Sequence, residues 1–113
     1  MNYEKTLKEL KQSWSKESSS KYETENPSKG QCSVTAVVIQ RIYGGEILKT
    51  KINDCWHFYN KIENCIYDFT SEQFAEEVEY INEISSKEEA LADCTESQVV
   101  ALWASLNITI EEN

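Results

Sequence analysis

Cys32, His57 and Asp68 are the residues through which this chain of 113 residues could do covalent chemistry. A free thiol is mostly protonated at neutral pH, because its unperturbed pKa is about 8.5. A histidine beside it can form a thiolate–imidazolium pair and later protonate a leaving group. An acid on the other side of the ring holds the right tautomer and orientation. Here the chain's one histidine follows the thiol, and Asp68-Phe69-Thr70 lies eleven residues beyond it. The backbone N–H of Cys32, with the side-chain amide of Gln31 or another N–H nearby, is the expected oxyanion donor, although Gln31 could equally cap the helix. Tyr59 and Asn60 are candidate pocket residues, although strand alternation puts them on opposite faces.

Each of these residues has a plainer reading. Cys32 could be a small apolar residue at the start of a buried helix. His57 could be a hydrogen-bonded residue on a half-covered sheet, and Asp68 could join Thr70 in capping a following helix. Cys55, His57, Cys65 and Cys32 could bind zinc, but Cys55 and Cys65 fall on opposite faces of the expected hairpin and the spacing fits no standard finger. The reading adopted has no metal and no cofactor. Cys94 has no obvious partner.

The elements that must bring the three groups together follow from local pattern. Pro27 disfavours helical geometry at Asn26, so a helix carrying Cys32 must begin later. Cys32 to Tyr43 is rich in β-branched residues, yet its length, the start chemistry of Ser28 and Gly30, and the Gly44-Gly45 stop predict a buried helix. Glu46 to Ile52, Cys55 to Ile62 and Cys65 to Phe69 read as strands, with turns at Asn53-Asp54 and Glu63-Asn64. A two-residue loop at Glu63-Asn64 pairs Ile62 with Cys65 and puts His57, Tyr59, Asp68 and Thr70 on one face. Trp56, Phe58, Ile62, Tyr67 and Phe69 then form the other, apolar face.

Toward the start, Tyr3, Leu7, Leu10 and Trp14 recur at helical spacing. The serine-rich stretch to Pro27 reads as a loop. Thr70 and Gln73 fit a capping box, Ser85 or Ser86 precedes a short helix, and Thr95 to Leu106 predicts a longer one. Asn107 to Ile110 reads as a last short strand. The three tryptophans, Trp14, Trp56 and Trp103, are expected in the core.

The composition fits one globular domain over 1–113, with 40% apolar residues and a net charge of −9. That charge argues against nucleic acid as a partner. No apolar run approaches the roughly 20 residues of a membrane span, and the first residues lack the apolar core of a signal peptide. A cytoplasmic location with four free thiols is the resulting expectation.

Four blocks carry a resemblance: Asn26 to Ala36, Gly44-Gly45-Glu46-Ile47-Leu48, His57-Phe58-Tyr59-Asn60, and Asp68-Phe69-Thr70 with Gln73-Phe74. Together they resemble the YunG-like family of small bacterial proteins, a label that implies no particular chemistry. More loosely, His57-x-Tyr59 followed by Asp68-x-Thr70, with a cysteine helix ahead of them, is similar to papain- and transglutaminase-like cysteine enzymes. That similarity implies a Cys32, His57, Asp68 triad.

The expected fold is therefore α+β: a small antiparallel sheet with packed helices and a papain/transglutaminase-like core. The leading expectation is a thiol hydrolase or acyltransferase acting on an amide or ester of a peptide or small molecule. The rival is a non-catalytic binding domain on the same scaffold.

Overall fold

The computed structural model describes residues 1–112. Helix α1 (Tyr3–Ser13) begins where the Asn2 side chain accepts the Lys5 N–H at 3.0 Å, an N-cap that satisfies a first-turn amide. It buries Leu10, and Trp14 just beyond it donates its indole N–H to Thr35 Oγ1 at 2.9 Å. Helix α2 (Cys32–Tyr43) is buried along Ser33 to Ile39, as expected of a helix apolar on most sides. Gly44 and Gly45 end it with φ of 77° and 81°, a left-handed conformation that suits glycine. A Cβ on Gly45 would also lie 2.2 Å from the Lys61 carbonyl oxygen, so the helix can turn this tightly into the sheet only with glycine there.

Strands β1 (Glu46–Ile52), β2 (Cys55–Ile62) and β3 (Cys65–Tyr67) form consecutive hairpins. Asn53-Asp54 and Glu63-Asn64 supply the two turns, all four residues with φ between 50° and 67°. Two successive positive φ values give turns whose twist matches that of the strands. Pairing of Ile62 with Cys65 and Asn60 with Tyr67 is the register that the two-residue loop predicts. A short strand β4 (Glu83–Ile84) pairs with β1, giving an antiparallel sheet of order β3-β2-β1-β4.

Helix α2 packs on one face of the sheet. Its Val34, Val37, Val38 and Ile39 share a core with Ile47, Phe58, Ile62 and Phe69. Helices α3 (Lys87–Leu91) and α4 (Glu96–Glu112) complete that core through Ala90, Val99, Leu102 and Leu106. Ser86 caps α3 by accepting the Glu89 N–H at 3.1 Å. The opposite face of the sheet is covered by the irregular segment 74–82. Thr50 Oγ1 donates to Glu79 O at 2.8 Å and accepts from Ile81 N at 3.1 Å. No helix among the described residues is long and apolar enough to cross a membrane.

Four local expectations are corrected. Residues 107–110 continue α4 rather than forming a strand, because Thr109 is buried and takes a 2.9 Å hydrogen bond from Ser13 Oγ of α1. Tertiary contact there overrides β propensity. Thr70 does not cap an α-helix: its N–H and hydroxyl both donate to Asp68 Oδ1, and only a 3₁₀ turn, Ser71–Gln73, follows. Strand β3 ends at Tyr67, short of Phe69. Trp56 is 37% exposed rather than core, lying on the rim of a cleft with Lys49 and Lys51 ammonium groups 4.1 and 5.4 Å from its ring centre.

Candidate active site

Alternation along β2 sends Phe58, Asn60 and Ile62 toward α2 and sends His57 and Tyr59 to the face beneath segment 74–82. His57 is 2% exposed, and its Nε2 lies 2.7 Å from Asp68 Oδ2. Asp68 is itself held from several sides. Thr70 donates to Oδ1 from its N–H at 3.1 Å and its hydroxyl at 3.2 Å, and the Tyr80 hydroxyl donates to Oδ2 at 2.7 Å. Phe74 meets the imidazole edge-on, with ring centres 4.9 Å apart. Neither the ring nor the carboxylate is free to turn.

Burial alone would push the His57 pKa down. The Asp68 carboxylate and the nearby Cys32 sulfur outweigh it and raise the value to about 9. The ring is therefore an imidazolium at neutral pH, with Nε2 donating to Asp68. Burial, together with the same carboxylate, pushes the Tyr80 phenol well above its ordinary value.

Cys32 is the first residue of α2 and is partly buried. First-turn N–H groups of a helix lack intrahelical partners and carry partial positive charge, which favours an anion there. Cys32 and His57 line one cleft of about 320 Å³ with Gly30, Trp56, Gln73 and Phe74. The Cys32 sulfur acts on the ring both as a hydrogen-bonding neighbour and through its charge, yet among the described residues the buried His57 Nδ1 has no hydrogen bond of good geometry. The structure thus brings Cys32, His57 and Asp68 together, with one ring nitrogen committed to the acid and the other open.

The three expected pocket residues sit elsewhere. Gln31 is fully buried, does not line the cleft, and donates from Nε2 to Ser15 O at 3.4 Å. Asn60 donates from Nδ2 to Ala36 O at 3.0 Å, tying β2 to α2. The Tyr59 hydroxyl donates to Asn82 Oδ1 and accepts from Asn82 N, both at 2.8 Å. Each of these contacts holds elements together.

Two residues at the site escaped the sequence reading. Tyr80 lies in a segment without periodicity, so nothing in the sequence aims it at Asp68. Gln73 reads as a capping residue; instead its Oε1 accepts the Gly30 N–H at 3.1 Å, and its Nε2 is buried with no partner among the described residues. All four cysteines are free. Cys94 also lines the cleft, and burial pushes its thiol pKa up. Among the described residues, no group of three or more His, Cys, Asp or Glu side chains is placed to hold a metal ion.

The chain belongs to the YunG family: the family model described as "YunG protein" matches residues 2–111. It is similar to the "Uncharacterized protein YunG" of Bacillus subtilis (strain 168), 57% identical over 89 residues that cover 79% of this chain and 77% of that protein. No solved structure matches the chain.

Proposed function

We propose that this member of the YunG family is a thiol-dependent hydrolase or acyltransferase acting on an amide or ester. Cys32 is its nucleophile, His57 its proton carrier and Asp68 the acid that orients His57. The observation that carries the reading is the division of the imidazole. Nε2 is bound to a carboxylate held by Thr70 and Tyr80, while Nδ1 is left open beside a cleft that Cys32 also lines. A histidine serving only as a structural link would have both nitrogens satisfied. The order of a cysteine helix, a histidine strand and an aspartate resembles that of papain- and transglutaminase-like enzymes, which supports the same reading, and a papain/transglutaminase-like core is part of the proposal.

In the proposed reaction the Cys32 sulfur forms a bond to the carbonyl carbon as the π pair moves onto oxygen. That pair then returns, the bond to the amine or alcohol breaks, and the departing group takes the proton from His57 Nδ1. A thioester remains. Water, or an acceptor amine, attacks it and gives a proton back to Nδ1, and the thiolate leaves. Asp68 keeps Nδ1 facing the sulfur throughout and takes no proton itself. The substrate is a peptide or small molecule, the net charge of −9 argues against nucleic acid, and the cytoplasm is the proposed location.

Cys55 and Cys65 are exposed whereas Cys32 is partly buried, so simple accessibility and an activated thiol predict opposite orders of reaction. With iodoacetamide at about pH 6.5, Cys32 should label roughly tenfold faster than either, and His57→Ala should remove the advantage. Peptide mass mapping reads both. If Cys55 and Cys65 label first and His57→Ala changes nothing, the chain is a binding domain on this scaffold.

A further inference from the structure

Four buried side-chain polar atoms have no partner among the described residues: Ser28 Oγ, Gln31 Oε1, His57 Nδ1 and Gln73 Nε2. His57 and Gln73 line the Cys32 cleft; Ser28 and Gln31 do not. The open nitrogen of His57 already has a use in the reaction above. The amide nitrogen of Gln73 does not.

Gln73 is fixed from two directions. Its Oε1 accepts the N–H of Gly30, two residues before the nucleophile, and its backbone carbonyl accepts Asn26 Nδ2 at 3.4 Å. Gly30 in turn has φ of +73°, and a Cβ there would lie 2.5 Å from Ser19 Oγ and 2.9 Å from Lys21 Cβ. The N–H that anchors Gln73 therefore has a fixed direction. With Oε1 taken by Gly30, Nε2 is the end of the amide left without a partner among the described residues. A donor shielded from water has no hydration to shed when charge develops beside it, which is the condition for strong oxyanion stabilisation.

We propose that Gln73 Nε2, with the backbone N–H of Cys32, donates to the carbonyl oxygen that becomes negative when the Cys32 sulfur attacks. Gln73 then fills the role that sequence spacing suggested for Gln31, whose Nε2 is committed to Ser15. The inference rests on the thiol-hydrolase reading, and the test separates the two.

Acylation of a thiol by p-nitrophenyl acetate passes through an oxyanion, whereas alkylation by iodoacetamide does not. The ratio of these rates at Cys32, read as p-nitrophenolate release and adduct mass, cancels any change in thiolate supply. Gln73→Glu keeps an acceptor for Gly30 and removes the donor, while Gln73→Met removes both. The ratio should fall roughly 10²–10³-fold in either variant, as for loss of one oxyanion donor. An unchanged ratio in Gln73→Glu, with its fold intact by circular dichroism, overturns the assignment and leaves Gln73 as a clamp on Gly30. A wild-type protein that alkylates fast at Cys32 but accepts no acetyl group overturns the hydrolase reading and this role together.

Discussion

The two faces of β2 are both buried, but by different means. Phe58 and Ile62 face α2 within a continuous apolar core, where Asn60 is satisfied by the Ala36 carbonyl. His57 and Tyr59 face a segment with little regular structure and several exposed residues. That second face is held by specific hydrogen bonds: His57 to Asp68, Tyr80 to Asp68, Tyr59 to Asn82, and Thr50 to Glu79 and Ile81. The first face follows area and packing, and the second follows geometry and protonation. Apolar packing and directed hydrogen bonding are thereby separated across one strand.

The largest effect should come from the apolar face. Phe58→Ala removes a ring that is 3% exposed and should cost about 3–5 kcal/mol, read by urea unfolding, with little dependence on pH. A strong pH dependence of that loss would break the contrast.

The polar face should respond to pH instead. The folded pKa of His57, about 9, lies above its unfolded value near 6.5. The imidazolium's contribution is therefore fully present below about pH 6.5 and is lost as pH rises through 9, about 3 kcal/mol in total. His57→Gln should flatten this slope in urea unfolding measured between those limits. An equal slope in the variant would assign the effect to other groups.

Smaller still, Tyr80→Phe removes one hydrogen bond to Asp68 from a ring that is 38% exposed, and should cost about 1–2 kcal/mol. Hydrogen exchange should speed up at Ile81 and Asn82 and stay unchanged in α2. Uniform acceleration would mean that the two faces open together.

The contrast also explains what the sequence could disclose. Alternation from Trp56 to Ile62, with a two-residue loop at Glu63-Asn64, was enough to set the β2–β3 register and thereby the His57–Asp68 pair. Gly44-Gly45 marks the end of α2, and at Gly45 only glycine fits the approach to Lys61. Residues 107–110 misled because Ile108, Thr109 and Ile110 favour a strand locally, and the Ser13–Thr109 contact that keeps them helical spans 96 positions. Gln73 and Tyr80 were illegible for a related reason. Their partners, Gly30 and Asp68, are set by how the chain crosses itself and not by any period along it.

Trp56 gives the cleft an optical handle. Trp14 is 3% exposed and Trp103 is half-buried, so the indole on the rim, 37% exposed and flanked by two lysines, is the most open to solvent of the three. Fluorescence of the unlabelled protein, with iodide as a quencher, would therefore report when a molecule settles beside Cys32, before any bond is made or broken.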